Sequence, residues 1–243
     1  MNFFLSELLA TMTLVFLGDG VCANVSLNKS GMKGAGAIQI TIAWGLAVTI
    51  AAFMYGNTSG GACMNPAIVI ANIVMDNVTF INGLWMILGE MVGAFVGAFF
   101  VHMFWKQQFD ATEDAATKLG VFSTAPSVKN TLNNFFCEFA GTALLFWFGN
   151  AAGAWGPDAS ALAVIPTFCI IMAIGMSLGG ATGYAINPAR DAGPRLYHTV
   201  AFKGDDHNWS YGWKVVVADI AGAVFAALLF MALKGVALQA ASG

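Results

Sequence analysis

Ser59-Gly60-Gly61-Ala62-Cys63-Met64-Asn65-Pro66-Ala67 is echoed later in the chain by Gly183-Tyr184-Ala185-Ile186-Asn187-Pro188-Ala189-Arg190. Each copy is a glycine-containing break between apolar stretches, and each carries Asn-Pro-Ala. Proline suits the first helical position because it has no N–H to leave unpaired there. Asparagine just before it is a good cap. Pro66-Ala67 and Pro188-Ala189 therefore read as helix starts at membrane depth, and two such starts in one apolar chain predict two half-helices aimed at a shared pore.

The composition is that of an integral membrane protein. Of 243 residues, 58% are hydrophobic and 9% charged, and mean hydropathy is +0.72; soluble domains carry roughly 25% charged residues. Apolar stretches of about 20 residues, enough to cross a hydrocarbon layer of ~30 Å, recur along the chain. The net charge of −3 is modest and comes without any basic run, so no nucleic-acid partner is expected. The first apolar stretch is not expected to be a cleaved signal peptide, since no basic segment precedes it and Glu7 and Asp19 interrupt it. Cys22, Cys63, Cys137 and Cys169 lie in apolar segments without metal-ligand spacing and read as free thiols. Neither a cofactor nor a nucleophile–base set is expected, so the chain does not read as an enzyme.

The hydropathy pattern predicts an all-α membrane protein. Its six spans are expected at 3–27, 36–56, 80–105, 131–153, 160–179 and 212–235, with half-helices at 66–76 and 188–198. The one long polar stretch, 106–130, reads as a solvated connector between a first half, 1–105, and a second, 131–243. The halves resemble each other. Glu7-Leu8-Leu9-Ala10-Thr11 matches Glu138-Phe139-Ala140-Gly141-Thr142, and Gly18-Asp19 matches Gly149-Asn150 at the same offset. Glu90-Met91-Val92-Gly93 matches Asp219-Ile220-Ala221-Gly222 at nearly that offset. Three spans per half is an odd number, so the halves cross the membrane in opposite senses. Ligand paths in such inverted repeats lie near the midplane at the repeat interface.

Over essentially its whole length the chain resembles the major intrinsic proteins, the aquaporin and glycerol-facilitator family. The doubled Glu-x-x-small-Thr and the two extended Asn-Pro-Ala segments carry the resemblance. It implies six tilted helices plus two re-entrant half-helices, and a homotetramer in the plasma membrane with one pore per subunit. It also places both termini in the cytoplasm. That choice leaves Lys29, Lys33, Lys106, Lys118, Lys129, Arg195 and Lys203 outside, against the positive-inside tendency.

Irregular backbone is tolerated in a membrane only where protein buries it or it lines a wet cavity. Gly61, Ala62, Cys63 and Met64 form such backbone before Asn65, and their carbonyls can line one pore wall. The Asn65 and Asn187 amides can cap their helices and still donate to a passing hydroxyl. The positive ends of both half-helices disfavour cations at that point. Glu7 and Glu138 are implied by the resemblance to accept N–H groups of the pore loops, as scaffold.

Arg190 beside a mid-membrane motif is costly unless it faces water or a partner. It is either a structural ion pair or, as the resemblance implies, a filter residue. Glycerol facilitators carry a Trp-Gly-Leu segment on the second span, matched by Trp44-Gly45-Leu46, and glycine on the fifth span, matched by Gly175. Tyr184 falls where they carry phenylalanine. Trp44 and Tyr184 are thus expected to form an apolar corner opposite Arg190, with Gly175 leaving width for a polyol. Asp191 and Arg195 also match that subgroup and are expected to orient the re-entrant loop. Val215-Val216 fits neither the glycerol nor the water pattern, and Cys63 replaces a common histidine.

The function expected is passive passage of glycerol and other small uncharged solutes, with water, across the lipid bilayer, excluding ions and protons. A water-selective pore is the alternative within the family. A proton-coupled carrier using Asp19, Glu90 or Asp219 is the alternative outside it.

Overall fold

The computed structural model describes residues 3–59, 62–153 and 164–242. Among them every regular element is a helix: α1 (Phe3–Ser26), α2 (Ala37–Ser59), α3 (Pro66–Val74), α4 (Phe80–Phe104), α5 (Lys106–Asp110), α6 (Ala115–Phe122), α7 (Thr131–Gly153), α8 (Val164–Leu178), α9 (Pro188–Ala201) and α10 (Trp209–Ser242). Four of these, α1, α2, α4 and α10, are long and apolar enough to span a membrane. The fifth span expected at 160–179 corresponds to α8 from Val164 onward, and its first four residues lie outside the described ones. The half-helices end at Val74 and Ala201 rather than 76 and 198, and α10 runs past the expected 235.

Large apolar side chains face outward over much of the surface. Leu132 is 84% exposed, Phe80 63% and Ile38 64%. This is the inverse of a water-soluble surface and suits hydrocarbon. Helices without a hydrophobic driving force between them need small residues to approach closely. Gly89, Gly93 and Gly97 supply this on α4, one turn apart. Each faces an α1 backbone carbonyl, those of Phe4, Leu8 and Met12 in turn, where an added Cβ would collide. Gly222 on α10 meets the Phe139 carbonyl of α7 in the same way. Gly93 and Gly222, like Leu8 and Phe139, are partners in the sequence repeat, so the two halves pack by one device.

The 106–130 stretch departs from the expected solvated connector. Lys106 and Asp110 pair in solvent on α5, but Phe109 stacks on Phe122 with ring centres 5.3 Å apart, and both rings are buried. Ser123 and Thr124 are buried as well. The connector thus folds back into the body, and its last turn reaches α9.

Candidate functional site

The two half-helices meet head to head. Asn65 caps α3, its Oδ1 accepting the Ala67 N–H at 3.1 Å, and Pro66 opens the helix. Asn187 caps α9, accepting from Ala189 at 3.0 Å and Arg190 at 3.2 Å. Each amide also reaches across. Asn65 Nδ2 donates to the Ile186 carbonyl at 2.8 Å, and Asn187 Nδ2 donates to the Met64 carbonyl at 2.7 Å. An amide NH2 carries two donors, and one of each is taken by the opposite carbonyl.

Met64 and Ile186 present those carbonyls because their backbones are left-handed, at φ 53° and 43°. For a β-branched residue such as Ile186 that conformation is an outlier and persists only where surroundings over-determine it. Buried carboxylates do so here. Glu7 accepts the N–H groups of Cys63 and Met64, both at 2.8 Å. Glu138 accepts those of Ala185 and Ile186 at 3.2 and 3.0 Å. Glu90 accepts the Asn65 N–H at 2.7 Å. Asp219, its repeat partner, takes the Thr142 hydroxyl at 3.1 Å and faces the Asn187 backbone N–H. The sequence repeat pairs Asp219 with Glu90, and the two acids face the backbone N–H groups of the two asparagines.

A cavity of about 1300 Å³ runs past this junction. Asn65, Asn187 and Arg190 line it, as do the expected loop residues Ala62, Cys63 and Met64. Gly61, also expected there, lies outside the described residues. The N-termini of α3 and α9 open on the cavity and bring partial positive charge to it.

Arg190 has three holds on its guanidinium. Nη1 donates to the Phe122 carbonyl at 3.2 Å and stands 3.5 Å from Asp19 Oδ1, while Cζ lies 4.1 Å from the centre of the Trp44 ring. Trp44 therefore rests on the arginine instead of opposing it across a gap. Gly18 on α1 makes this possible, because a Cβ there would overlap the indole. Gly175 borders the same cavity. An added Cβ would come within 2.7 Å of Thr41 and 2.9 Å of Tyr184, so the tyrosine ring and Thr41 occupy that space. Tyr184, at φ 42°, still borders the cavity.

Asp191 and Arg195 tie α9 to the connector. Asp191 Oδ2 accepts the Thr124 N–H at 2.8 Å and its hydroxyl at 2.7 Å. Arg195 donates to the Thr124 carbonyl at 2.8 Å and the His207 carbonyl at 2.9 Å. Sequence reading missed Phe122 and Thr124, because a backbone carbonyl carries no side-chain signal. It missed Cys22 as a cavity residue, because an apolar helix gives no indication of which face is wet.

The profile of the Major intrinsic protein family matches residues 1–230. A glycerol uptake facilitator protein of Bacillus subtilis is 41% identical over 239 residues, covering 97% of this chain and 86% of that protein. One from Streptococcus pneumoniae serotype 4 is 40% identical over 236 residues, covering 95% and 98%. The X-ray structure of the aquaglyceroporin from Plasmodium falciparum superposes with a TM-score of 0.83 at 26% identity, over 94% of both chains.

Proposed function

Because this chain belongs to the major intrinsic protein family, we propose that it is a passive channel through which glycerol, other small uncharged solutes and water cross a membrane down their gradients. The observation that carries this reading is the cavity bordered by both asparagine amides and Arg190, together with relatives named glycerol uptake facilitators. A polyol needs hydroxyl partners along one wall and apolar surface along the other. The free N–H of Asn65 and of Asn187, and the exposed edge of Arg190, supply donors. Trp44, Tyr184 and Ile171 supply apolar surface. Cations meet two helix N-termini at the midpoint, and a proton relay is costly there. Glu7, Glu138, Asp191 and Arg195 act as scaffold that fixes the loops.

The same reading makes the protein a homotetramer of the plasma membrane with both termini cytoplasmic. The exposed α2 stripe of Ile38, Ile42, Leu46 and Ile50 supports contact with lipid or a neighbouring subunit. Mass measurement in detergent tests the assembly, and protease access to the 106–130 segment on intact cells tests the orientation.

Stopped-flow light scattering on proteoliposomes, with water, glycerol and other neutral solutes, tests the function. Downhill glycerol flux indifferent to a pH gradient is expected. A high water rate without glycerol flux would point to a water-selective pore, and uphill accumulation driven by protons would point to a carrier.

A further inference from the structure

One buried acid has no scaffold task. Asp19 lies in the middle of α1, fully buried. Unlike Glu7, Glu90 and Glu138, it holds no pore-loop N–H. Among the described residues neither of its carboxylate oxygens has a hydrogen bond. Its nearest charged partner is Arg190, 3.5 Å away, with the Asp191 carboxylate of α9 acting on it from further off. An ionisable side chain inside a membrane is rare without a function, and its partner indicates what that function is.

We propose that Asp19 is a positioning residue for solute size selection: it draws the Arg190 guanidinium back against the wall formed by α1 and Trp44 and so sets the free width of the filter. Adjacent residues of α1 share the work. Gly18 leaves room for the indole to lie on the helix, and Asp19 supplies the opposite charge behind it. The arginine side chain is then only 9% exposed, so an edge, and not the whole fork, faces the cavity.

The Phe122 carbonyl and the Trp44 ring remain when the carboxylate is removed, but both are neutral. An uncompensated guanidinium in an apolar wall is drawn toward water, and Arg190 already borders the cavity. Swung inward, it narrows the lumen and places a strong donor in the path. A polyol needs more width than water, so its passage suffers more.

This inference rests on the channel reading and is tested by the ratio of glycerol to water permeability in the same proteoliposomes. Poor folding or insertion lowers both fluxes together and leaves the ratio unchanged. Asp19→Asn conserves volume and removes the charge. Losing an opposite charge 3.5 Å away, even a largely screened one, is worth about a factor of ten in the arginine's distribution, so the ratio is expected to fall by about tenfold. Asp19→Ser, a second neutral variant, should lower it in the same direction. In an Arg190→Ala background, Asp19→Asn should leave the ratio where Arg190→Ala alone puts it. A parental ratio in both neutral variants, or an equal drop with and without Arg190, would overturn the role of Asp19. A parent protein that conducts neither solute would overturn the channel reading as well.

Discussion

Arg195 grips Asp191 from one turn further along α9, with Nη2 2.7 Å and Nε 2.9 Å from the same carboxylate oxygen and neither side chain exposed. The other carboxylate oxygen holds the backbone and hydroxyl of Thr124. Two residues after Phe122, whose carbonyl restrains Arg190, the connector is thus anchored to the half-helix that carries Arg190. Arg195 packs onto Gly212, where any side chain would meet the guanidinium.

Breaking that pair leaves one buried charge alone. Asp191→Ala should destabilise the protein by about 3–5 kcal/mol, the usual cost of removing one partner of a buried ion pair. The loss should appear as a lower Tm in detergent. Thr124→Val removes only the hydroxyl and should cost about 1 kcal/mol.

Glu138→Gln replaces a carboxylate that accepts two N–H groups with an amide that has one acceptor oxygen and an NH2. One of the Ala185 and Ile186 donors is then left facing another donor. The expected cost is about 1–3 kcal/mol, with a fall in glycerol flux per inserted protein. Glu7→Gln should behave alike, since Glu7 does the same work for Cys63 and Met64.

Asn187→Asp keeps the cap on α9 but removes the donor to the Met64 carbonyl. It also adds a negative charge where two helix N-termini meet. Cation exclusion should weaken, measured as sodium or potassium leak in proteoliposomes that the parent lacks. Asn187→Ala should lose the cap, at about 1 kcal/mol, without gaining the leak.

Two thiols border the cavity, Cys63 on the pore loop and Cys22 on α1. Cys63 is the more accessible, half-buried where Cys22 is buried. A mercurial should therefore block flux mainly through Cys63. Cys63→Ser should retain most of its flux under mercury, while Cys22→Ser should remain sensitive. Equal inhibition of the parent and both variants would overturn the assignment.

Gly93→Val and Gly222→Val should each disrupt folding, because the new side chain meets a backbone carbonyl that has no rotamer to move. Overpacking costs typically about 1–3 kcal/mol, and carbonyl backbone gives way less than a side chain. Loss of detergent-stable protein for both variants would be the expected result.

The amino-acid sequence by itself determined the plan: long apolar stretches, a doubled Asn-Pro-Ala and a doubled Glu-x-x-small-Thr. These are written in the chain because helix spans, caps and proline starts are local, and because a repeat can be read by laying one half on the other. It also marked Glu7 and Glu138, since an acid in an apolar segment demands a partner, while Asp191 and Arg195 stood out through the resemblance to glycerol facilitators. What it could not carry was which side chains of separate helices meet. That Asp19 on α1 stands behind Arg190 on α9, that Gly18 seats Trp44, and that Tyr184 fills the space beside Gly175 are facts of which helix faces meet. Helices that are apolar all round give no periodic signal of orientation. Only the tertiary packing decides which wall each side chain joins, and therefore how wide a path the paired asparagines guard.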